Sequence, residues 1–186
     1  MDKSQRTRQR LQEEALRLFS ERGFDEVSVE EVARAAGVSH MTFFRHFPTK
    51  ESVVLDDPYD PVLGAVIAAQ RTDLPALERV RLAVLQAWEE IDEPGDEMTR
   101  TRIEMAAAHP SLRAKVWQNN RRTEEVIVEA LIRSGVDGLE SKVAAGATLG
   151  ALTAALFDWA EDADGEPLGN RVRTAMHLLA PFADAR

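Results

Sequence analysis

The feature that most constrains the fold is the stretch of residues 28–47, which encodes two short helices joined by a tight turn. Ser28 stands three positions before Glu31, the spacing of a capping box at a helix N-terminus. Gly37 follows the first helix and can adopt the positive φ that a tight turn requires. Pro48 ends the second helix, because proline has no backbone N–H and disfavours helix in the residue before it. This order predicts a helix-turn-helix, in which the second helix enters the major groove of DNA.

A longer helix is predicted ahead of this stretch. Apolar residues recur at helical spacing along residues 11–22, and Gly23 follows as a suitable C-terminal residue. The residues expected in the core of the resulting three-helix unit are Val32, Ala33, Val38 and Phe43.

The same residues carry a family resemblance. The matching positions are Gly23-Phe24, the cap Ser28, Val32-Ala33, Ala36-Gly37-Val38-Ser39, Thr42, Phe44, Phe47 and Lys50-Glu51. This pattern resembles the N-terminal DNA-binding domain of the TetR family of bacterial transcription regulators. The resemblance implies an all-α chain with an N-terminal three-helix helix-turn-helix domain and a larger C-terminal helical domain for ligand binding and dimerisation. We therefore expect a DNA-binding domain over residues 1–50 and a ligand-binding and dimerisation domain over residues 51–186.

Two positions depart from the family pattern. Met41 stands where relatives often have Gly or Arg. Phe44 stands where a Tyr often contacts a phosphate, so one hydroxyl contact is absent. Both departures bear on which operator is read.

The start of the second helix is expected to contact bases, since the N-terminal residues of a recognition helix meet base edges in the major groove. His40 can bond to a purine N7 or O6, and Met41 can pack on a thymine methyl. The resemblance implies phosphate contacts elsewhere on the unit. The predicted DNA-contacting residues are Ser28, Ser39, His40, Met41, Thr42, Phe44, Arg45, His46 and Lys50. Structural alternatives stay open, because Ser28 and Ser39 can serve only as caps and His46 can serve only in packing.

Charge is distributed unevenly along the chain. The net charge is −9, yet residues 1–50 carry nine basic and eight acidic residues, and the acidic excess lies after them. The first ten residues hold Lys3, Arg6, Arg8 and Arg10 against Asp2 alone. Such a basic arm can follow a phosphate backbone. The alternative is a frayed, solvated terminus.

The middle helices of the second domain are expected to enclose an effector pocket. The candidate lining residues are the apolar Trp88, Met98, Met105, Trp117 and Phe157 and the polar Arg102, His109, Asn120 and Arg121. The alternative is ordinary core packing, which is common for Met and Trp at helical spacing. The segments at residues 102–105 and 109–112 also resemble actinobacterial TetR-type regulators with acyl-CoA-like ligands. That resemblance implies a long, mainly apolar cavity with an Arg near its mouth.

The last two helices, predicted over residues 143–159 and 172–181, are expected to form a dimer interface. Gly146 and Gly150 lie among alanines, and small residues at this spacing let another backbone approach closely. The resemblance implies a four-helix interface between two copies of the chain. Its expected residues are Gly146, Leu149, Gly150, Leu152, Leu156, Met176, Leu179 and Phe182. The alternative is that these residues fill the core of a single copy.

Enzyme, metal and membrane signals are lacking in the sequence. It has no cysteine, P-loop or GxGxxG, and its four histidines show no metal-ligand spacing. The segment 162–165 resembles part of a calcium loop, but Ala160 and Arg171 stand where oxygen ligands are needed. The longest uncharged run, residues 143–157, is too short to cross a bilayer, and the first ten residues contain no apolar stretch of a signal peptide. We expect a cytoplasmic protein with no catalytic residue, cofactor, metal or membrane contact.

The sequence therefore predicts a ligand-responsive, sequence-specific DNA-binding transcription regulator. We expect a repressor that a small apolar effector, such as a fatty acyl-CoA, releases from a palindromic operator by moving the connecting segment at residues 51–63. Two alternatives stay open. A ligand-independent or activating regulator would have its pocket packed solid with side chains. A helical interaction module would fail to bind DNA.

Overall fold

The computed structural model describes residues 2–56, 60–89, 97–162 and 166–180. These residues form ten helices and no strand, so the predicted all-α class is confirmed. The helices are α1 (Lys3–Arg22), α2 (Val29–Ala35), α3 (His40–His46), α4 (Ser52–Leu55), α5 (Asp60–Ala69), α6 (Ala76–Glu89), α7 (Glu97–Ala108), α8 (Pro110–Arg133), α9 (Gly138–Glu161) and α10 (Leu168–Leu178).

The chain forms two compact units, each assembled from two stretches of sequence. The first unit contains Met1–Asp56 and Glu97–Val116, and the second contains Asp57–Asp96 and Trp117–Arg186. These units differ from the expected division at residue 50 because α7 packs on α1 and α4 and so belongs to the first unit. A functional division into a DNA-binding and an effector-binding domain stays a prediction.

The first unit is built around a small aromatic and aliphatic core. Leu11 and Phe19 of α1, Val32 of α2, and Phe43 and Phe47 of α3 and its C-cap are all buried. Val38, expected in this core, is only half-buried because it lies in the turn between α2 and α3. Burying large apolar side chains in a unit of this size supplies most of the driving force for folding.

The basic N-terminal arm is the first part of α1. Asp2 caps this helix by accepting from the Gln5 N–H at 2.8 Å, and Gln5 in turn accepts from the Asp2 N–H at 2.8 Å. The arm is therefore helical from Lys3 onward, and most of its side chains are exposed to solvent.

Two glycines end the helices around the turn as the sequence predicts. Gly23 has φ +92° after α1, and Gly37 has φ +65° after α2. Both values lie in the region that side chains with a Cβ disfavour. The α2–turn–α3 geometry over residues 28–47 thus agrees with the predicted helix-turn-helix.

The second unit is centred on α6, which packs against α5, α9 and α10. Helix α4 ends at Leu55, and α5 begins at Asp60. The ninth helix begins at Gly138, earlier than expected, because Asp137 caps it by accepting from the Leu139 N–H at 2.8 Å.

Helix α9 is long and apolar enough to cross a membrane by length and composition alone, with a mean hydropathy of 1.4 in its most apolar window. Among the described helices, only α9 passes this test. It is longer than the uncharged run of residues 143–157, because the helix continues beyond both ends of that run. The finding is weak support for a membrane span, since core helices of soluble proteins pass the same test. One face of α9 packs on α6 and α10.

Candidate nucleic-acid interface

The N-terminal turn of α3 presents side chains outward. Ser39 is its N-cap and accepts from the Thr42 N–H at 3.2 Å, while the two hydroxyls lie 3.0 Å apart. Met41 is 73% exposed. Arg45 is also exposed. The helix is therefore anchored through Phe43 and leaves these side chains at the surface.

His40 is held by two neighbours. Its Nε2 lies 3.4 Å from a carboxylate oxygen of Glu30, and its ring meets the ring of Phe44 edge-on at a centroid distance of 4.8 Å. An Nε2–H donated to Glu30 would leave Nδ1 as an acceptor, because neutral imidazole has one donor and one acceptor nitrogen. Phe44 is itself partly exposed and packs edge-on against Phe43.

The C-terminal end of α3 is half-buried against α1. The backbone carbonyl of His46 accepts from Arg8 Nη1, and the Arg8 guanidinium lies 4.0 Å from the centre of the Phe47 ring. Burial lowers the pKa of His46, and the nearby cations Arg45 and Arg8 lower it further. His46 is therefore the neutral imidazole at physiological pH.

Ser28 forms the predicted capping box at the start of α2. Its hydroxyl accepts from the Glu31 N–H at 3.2 Å, and its own N–H donates to Glu31 Oε2 at 2.9 Å. The Ser28 N–H, the Arg22 guanidinium at 2.7 Å and the Ser28 hydroxyl, which donates to Glu31 Oε2 at 2.9 Å, lower the pKa of Glu31 to about 2. Ser28 thus has a structural role whether or not it also meets a phosphate.

Lys50 points into the first unit. Its ammonium donates to the carbonyl of Phe24 and lies 4.4 Å from the centre of the Phe24 ring and 5.5 Å from that of Phe19. Burial lowers the pKa of this ammonium, and the surrounding carboxylates partly oppose the effect. The predicted phosphate contact of Lys50 stays a prediction, and the contacts found here join α1 to the segment after α3.

Basic residues of α1 lie beside the turn and α3. Arg8 bridges to Asp56 at 2.9 Å as well as to His46, and the Arg10 guanidinium lies near Gly37 of the turn. The interface therefore combines an exposed recognition-helix start with cations from the helix that supports it. Such an arrangement can bind a phosphate backbone while side chains reach base edges.

Four residues predicted to line an effector pocket lie in the first unit. Met98 and Met105 are half-buried in α7. Arg102 donates from Nε to the Val54 carbonyl at 3.0 Å and from Nη2 to the Asp56 carbonyl at 2.7 Å. His109 lies 3.2 Å from Asp25 and edge-on to the ring of Phe24. Arg102 and His109 therefore contact α4 and the α1–α2 connection.

The other predicted pocket residues belong to the second unit. Trp88 packs so closely on α10 that a Cβ at Gly169 would lie 2.9 Å from its indole nitrogen. Asn120 donates to Thr153 Oγ1 at 3.1 Å, joining α8 to α9. Trp117 is 62% exposed, Arg121 is exposed near Glu125, and Phe157 is half-buried. Their role in effector binding stays a prediction.

The predicted dimer residues fall into two groups. Leu149 and Met176 are buried inside the second unit. Gly146 is exposed, while Gly150, Leu152, Leu156 and Leu179 are partly exposed. Phe182 lies outside the described residues.

Exposed apolar residues that were not predicted extend the surface of α9 and α10. Leu139 and Val143 of α9 and Leu178 of α10 are exposed. The helical spacing of Leu139 and Val143 relative to Gly146 was a signal in the sequence that could have identified these two residues.

Arg79 of α6 is a further residue that sequence reasoning missed. It lies on the apolar face of the helix between Ala76 and Ala83 and is almost fully buried. An arginine at a core position of a helical pattern was the available signal.

No group of three or more His, Asp or Glu side chains within the described ranges is placed to hold a metal ion. The arrangement around α3 is instead that of a helix-turn-helix DNA-binding protein. Comparison with known protein families identifies the family to which the chain belongs. The family of bacterial regulatory proteins called tetR matches residues 11–56, and the MftR C-terminal domain matches residues 74–183. The chain belongs to the TetR family of bacterial transcription regulators.

Individual relatives agree with this assignment. The HTH-type transcriptional regulator TcmR of Streptomyces glaucescens is 45% identical over 67 residues, 36% of this chain and 29% of TcmR. A mycofactocin biosynthesis transcriptional regulator, MftR of Mycobacterium tuberculosis, is 28% identical over 121 residues, 64% of this chain and 61% of MftR. The chain therefore spans less than two thirds of the length of these curated relatives.

A solved structure with the same fold is FadR of Thermus thermophilus, described as a TetR-family repressor in complex with lauroyl-CoA. Its TM-score is 0.50 at 22% sequence identity, and the alignment covers 96% of this chain and 98% of FadR. At this identity the likeness concerns the fold.

Proposed function

We propose that the protein is a homodimeric, effector-responsive repressor that binds a palindromic operator through α3. Without effector, the two α3 helices of the dimer lie one turn of DNA apart, about 34–36 Å. A small apolar effector, such as a fatty acyl-CoA, binds in the C-terminal domain, changes this spacing and releases the operator. The protein acts by binding without catalysis, and it acts in the cytoplasm.

The observation that carries this proposal is the exposed start of α3. Met41 is 73% exposed beside His40, although the same helix buries Phe43 completely. An exposed methionine has no structural purpose here, whereas the methyl group of thymine offers it an apolar partner in the major groove. The acceptor nitrogen of His40 suits an exocyclic amine of adenine or cytosine, provided that Glu30 keeps its contact in the complex.

Phosphate contacts are assigned to side chains at the edges of this surface. Thr42 and Arg45 on α3 and the cations at the start of α1 are the candidates. Such contacts set the register of the protein on DNA, and they make affinity fall as salt concentration rises.

The assignment of a homodimer is supported by the surface of α9. Leu139, Val143, Gly146 and Gly150 follow one another at intervals of four, three and four residues and so share one face of the helix. Leu139, Val143 and Gly146 are exposed. A second copy of this face would cover the apolar side chains, and the glycines would let the helices approach closely.

The assignment of an apolar effector is supported by the fold shared with FadR of Thermus thermophilus, whose structure is in complex with lauroyl-CoA. The coupling between effector and operator is a free energy, so each ligand must weaken the other by the same factor.

The experiment that tests this function is selection of bound fragments from a random duplex library with the purified protein at stated salt. We expect an enriched palindrome whose affinity falls about tenfold or more in the double variant His40→Ala, Met41→Ala, because base contacts contribute about 1–3 kcal/mol each. The matched control is Gln118→Ala, Arg122→Ala, which removes two exposed side chains from α8 and should leave affinity unchanged.

Two results would contradict the proposal. Enrichment of fragments without two-fold symmetry would contradict the dimeric arrangement. Binding that depends only on salt, with no enriched sequence, would contradict sequence-specific recognition. Once the palindrome is known, release of the labelled operator by acyl-CoA thioesters tests the effector class.

A further inference from the structure

Arg79 carries a buried positive charge with an unoccupied hydrogen-bonding edge. The side chain is 1% exposed in the second unit. Its Nε and Nη2 are both buried and have no hydrogen-bond partner in the described part of the chain. Buried polar groups in folded proteins are nearly always hydrogen-bonded, so such a group calls for an explanation.

Other arginines of the same unit are paired with a carboxylate, although the buried Nε of Arg171 also has no hydrogen-bond partner among the described residues. Arg81, two residues along α6, donates from Nε to Glu78 at 2.7 Å. Arg171 lies 3.2 Å from Asp158 and 2.8 Å from Asp162. In these cases a carboxylate of the chain balances the guanidinium. Arg79 lacks such a partner among the described residues.

The surroundings of Arg79 offer apolar surface and little that can accept a hydrogen bond. Helix α6 packs against α5, α9 and α10, and no Asp or Glu is among the buried side chains of the described residues. On α9, the buried hydroxyls of Ser141 and Thr148 donate to carbonyls of their own helix. Ala76 and Ala83, one turn away from Arg79 on either side, place little volume beside it.

The two free donors define the shape of the missing partner. Nε–H and Nη2–H lie on the same edge of the planar guanidinium and point in parallel, which is the fork that binds both oxygens of a carboxylate. One unbalanced positive charge calls for a partner with one negative charge. A phosphate monoester would bring a second negative charge that no described buried side chain balances.

We propose that Arg79 anchors the carboxylate of an apolar monocarboxylate ligand inside the second unit, bound side-on through Nε and Nη2. The inference rests on the proposed effector-responsive function and replaces its acyl-CoA example with a free carboxylic acid, because an acyl thioester has no carboxylate for the guanidinium fork to bind. The apolar part of the ligand packs against the aliphatic faces of α6, α9 and α10.

The test compares four probes that share an eight-carbon chain: octanoate, 1-octanol, octyl phosphate and octanoyl-CoA. Thermal unfolding and titration calorimetry are run on the full chain without DNA. We expect octanoate to raise the Tm of the wild-type protein by about 2 °C or more, since a ligand that binds only the folded state stabilises it. We expect 1-octanol, octyl phosphate and octanoyl-CoA to bind at least about tenfold more weakly.

Variants separate ligand binding from a structural role. Arg79→Met should raise the Tm of the unliganded protein, because an unpaired buried charge is replaced by an apolar side chain, and should abolish the octanoate shift. Arg79→Lys keeps the charge but loses the fork, so octanoate should bind about tenfold more weakly than to the wild type. Arg81→Met is the matched control on the same helix and should retain the octanoate shift.

Several outcomes would overturn the inference. They are octanoate binding to Arg79→Met as tightly as to the wild type, an equal response of the wild type to octanoate and 1-octanol, and no response of the wild type to octanoate. Tighter binding of octyl phosphate or octanoyl-CoA would overturn the assignment of a carboxylate.

The failure of this inference is distinguishable from failure of the proposed function. If octanoate raises the Tm only when Arg79 is present, but the protein selects no palindrome, the carboxylate site is supported and the proposed regulator is contradicted. A selected palindrome with no octanoate binding leaves the regulator intact and removes the carboxylate site.

Discussion

Several polar side chains of the first unit make contacts within that unit. Ser28 closes the capping box with Glu31, and Arg8 bridges to His46 and Asp56. Lys50 reaches back to Phe24. These contacts join α1, α2 and α3 into one unit, and they leave His40, Met41, Phe44 and Arg45 exposed on α3. Substitutions in the first group should therefore act on stability, and substitutions in the second group on DNA binding.

Glu31 should make the stability of the protein depend on pH in the acid range. Its pKa is about 2 in the folded chain against an ordinary value of 4.5, since Ser28 and Arg22 favour the carboxylate. A lowered pKa stabilises the folded state above the ordinary value, and the contribution disappears as pH falls from about 4.5 to about 2. Glu31→Gln should flatten that part of the curve of unfolding free energy against pH, measured in urea.

The control for this prediction is Glu13→Gln, which changes an exposed carboxylate on α1. Glutamine at position 31 can still close the capping box, so the helix start is retained. A curve for Glu31→Gln that keeps the wild-type acid limb would contradict the role assigned to this carboxylate.

Lys50 is expected to act mainly on stability. Lys50→Met removes a charge-assisted hydrogen bond to Phe24 and two ammonium–ring contacts, and should lower the free energy of unfolding by about 1–3 kcal/mol. A phosphate contact would instead reduce the salt dependence of DNA binding by about one unit of slope. We expect the slope to stay unchanged, as measured by titrating a selected operator at several salt concentrations.

Lys3→Met is the control, because it removes an exposed cation at the start of α1. This variant should leave the unfolding free energy nearly unchanged. If Lys50→Met reduced the salt dependence of DNA binding and left the unfolding free energy unchanged, Lys50 would instead contact a phosphate.

At the scale of elements, α4 depends on α7 for its C-terminal end. Helix α4 has only four residues, and an isolated helix of this length is not stable. The Arg102 guanidinium stabilises the C-terminal end of α4 by donating to the carbonyls of Val54 and Asp56. At the other end, Lys115 pairs with Glu51 at 2.8 Å. The short helix is therefore held by residues that lie much later in the chain.

Removal of the Arg102 contact should loosen α4. Arg102→Met leaves two carbonyls without a charged donor and should cost about 1–3 kcal/mol of unfolding free energy. Hydrogen exchange should become faster at the backbone amides of α4 than at those of α1. The control Arg100→Met affects an i,i+4 pair with Glu104 at 3.5 Å, and such pairs contribute about 0.5 kcal/mol or less. Equal exchange rates in Arg102→Met and wild type would contradict this account.

At the scale of the whole molecule, the exposed apolar face of α9 is a surface that one copy of the chain leaves uncovered. An apolar helix that passes a length and composition test for a membrane span needs something to cover its outer face. A second copy of the same helix is the covering surface that we propose. The free energy available from such burial is about 25 cal/mol for each square ångström of apolar surface.

Val143→Glu should therefore convert the dimer into a monomer. In the proposed dimer, the introduced carboxylate would lie against the same face of the partner's α9, where burying an unpaired charge is costly. Sedimentation velocity at micromolar concentration measures the change directly. Ile132→Glu introduces the same charge at an exposed apolar position near the end of α8, outside this face, and should leave the dimer intact. Dimers that persist in Val143→Glu would contradict the proposed interface.

The sequence by itself predicted the helix-turn-helix and the helical class. Each signal there is local: the bonds between Ser28 and Glu31 span three residues, and Gly37 needs only its own φ to end α2. The start and end of α3 follow from Ser39 and Pro48 in the same way. Local backbone preferences act before the chain has any tertiary structure, so they can be read directly from neighbouring residues.

Only the tertiary structure decided what the long polar side chains contact. Lys50 meets Phe24 across 26 positions, Arg102 meets Val54 across 48, and His109 meets Asp25 across 84. The sequence shows Arg79 at a core position of the α6 pattern, but its lack of a partner appears only when α6 packs against its neighbours. A long flexible side chain can reach many partners, and the one it finds depends on which helices packing brings together.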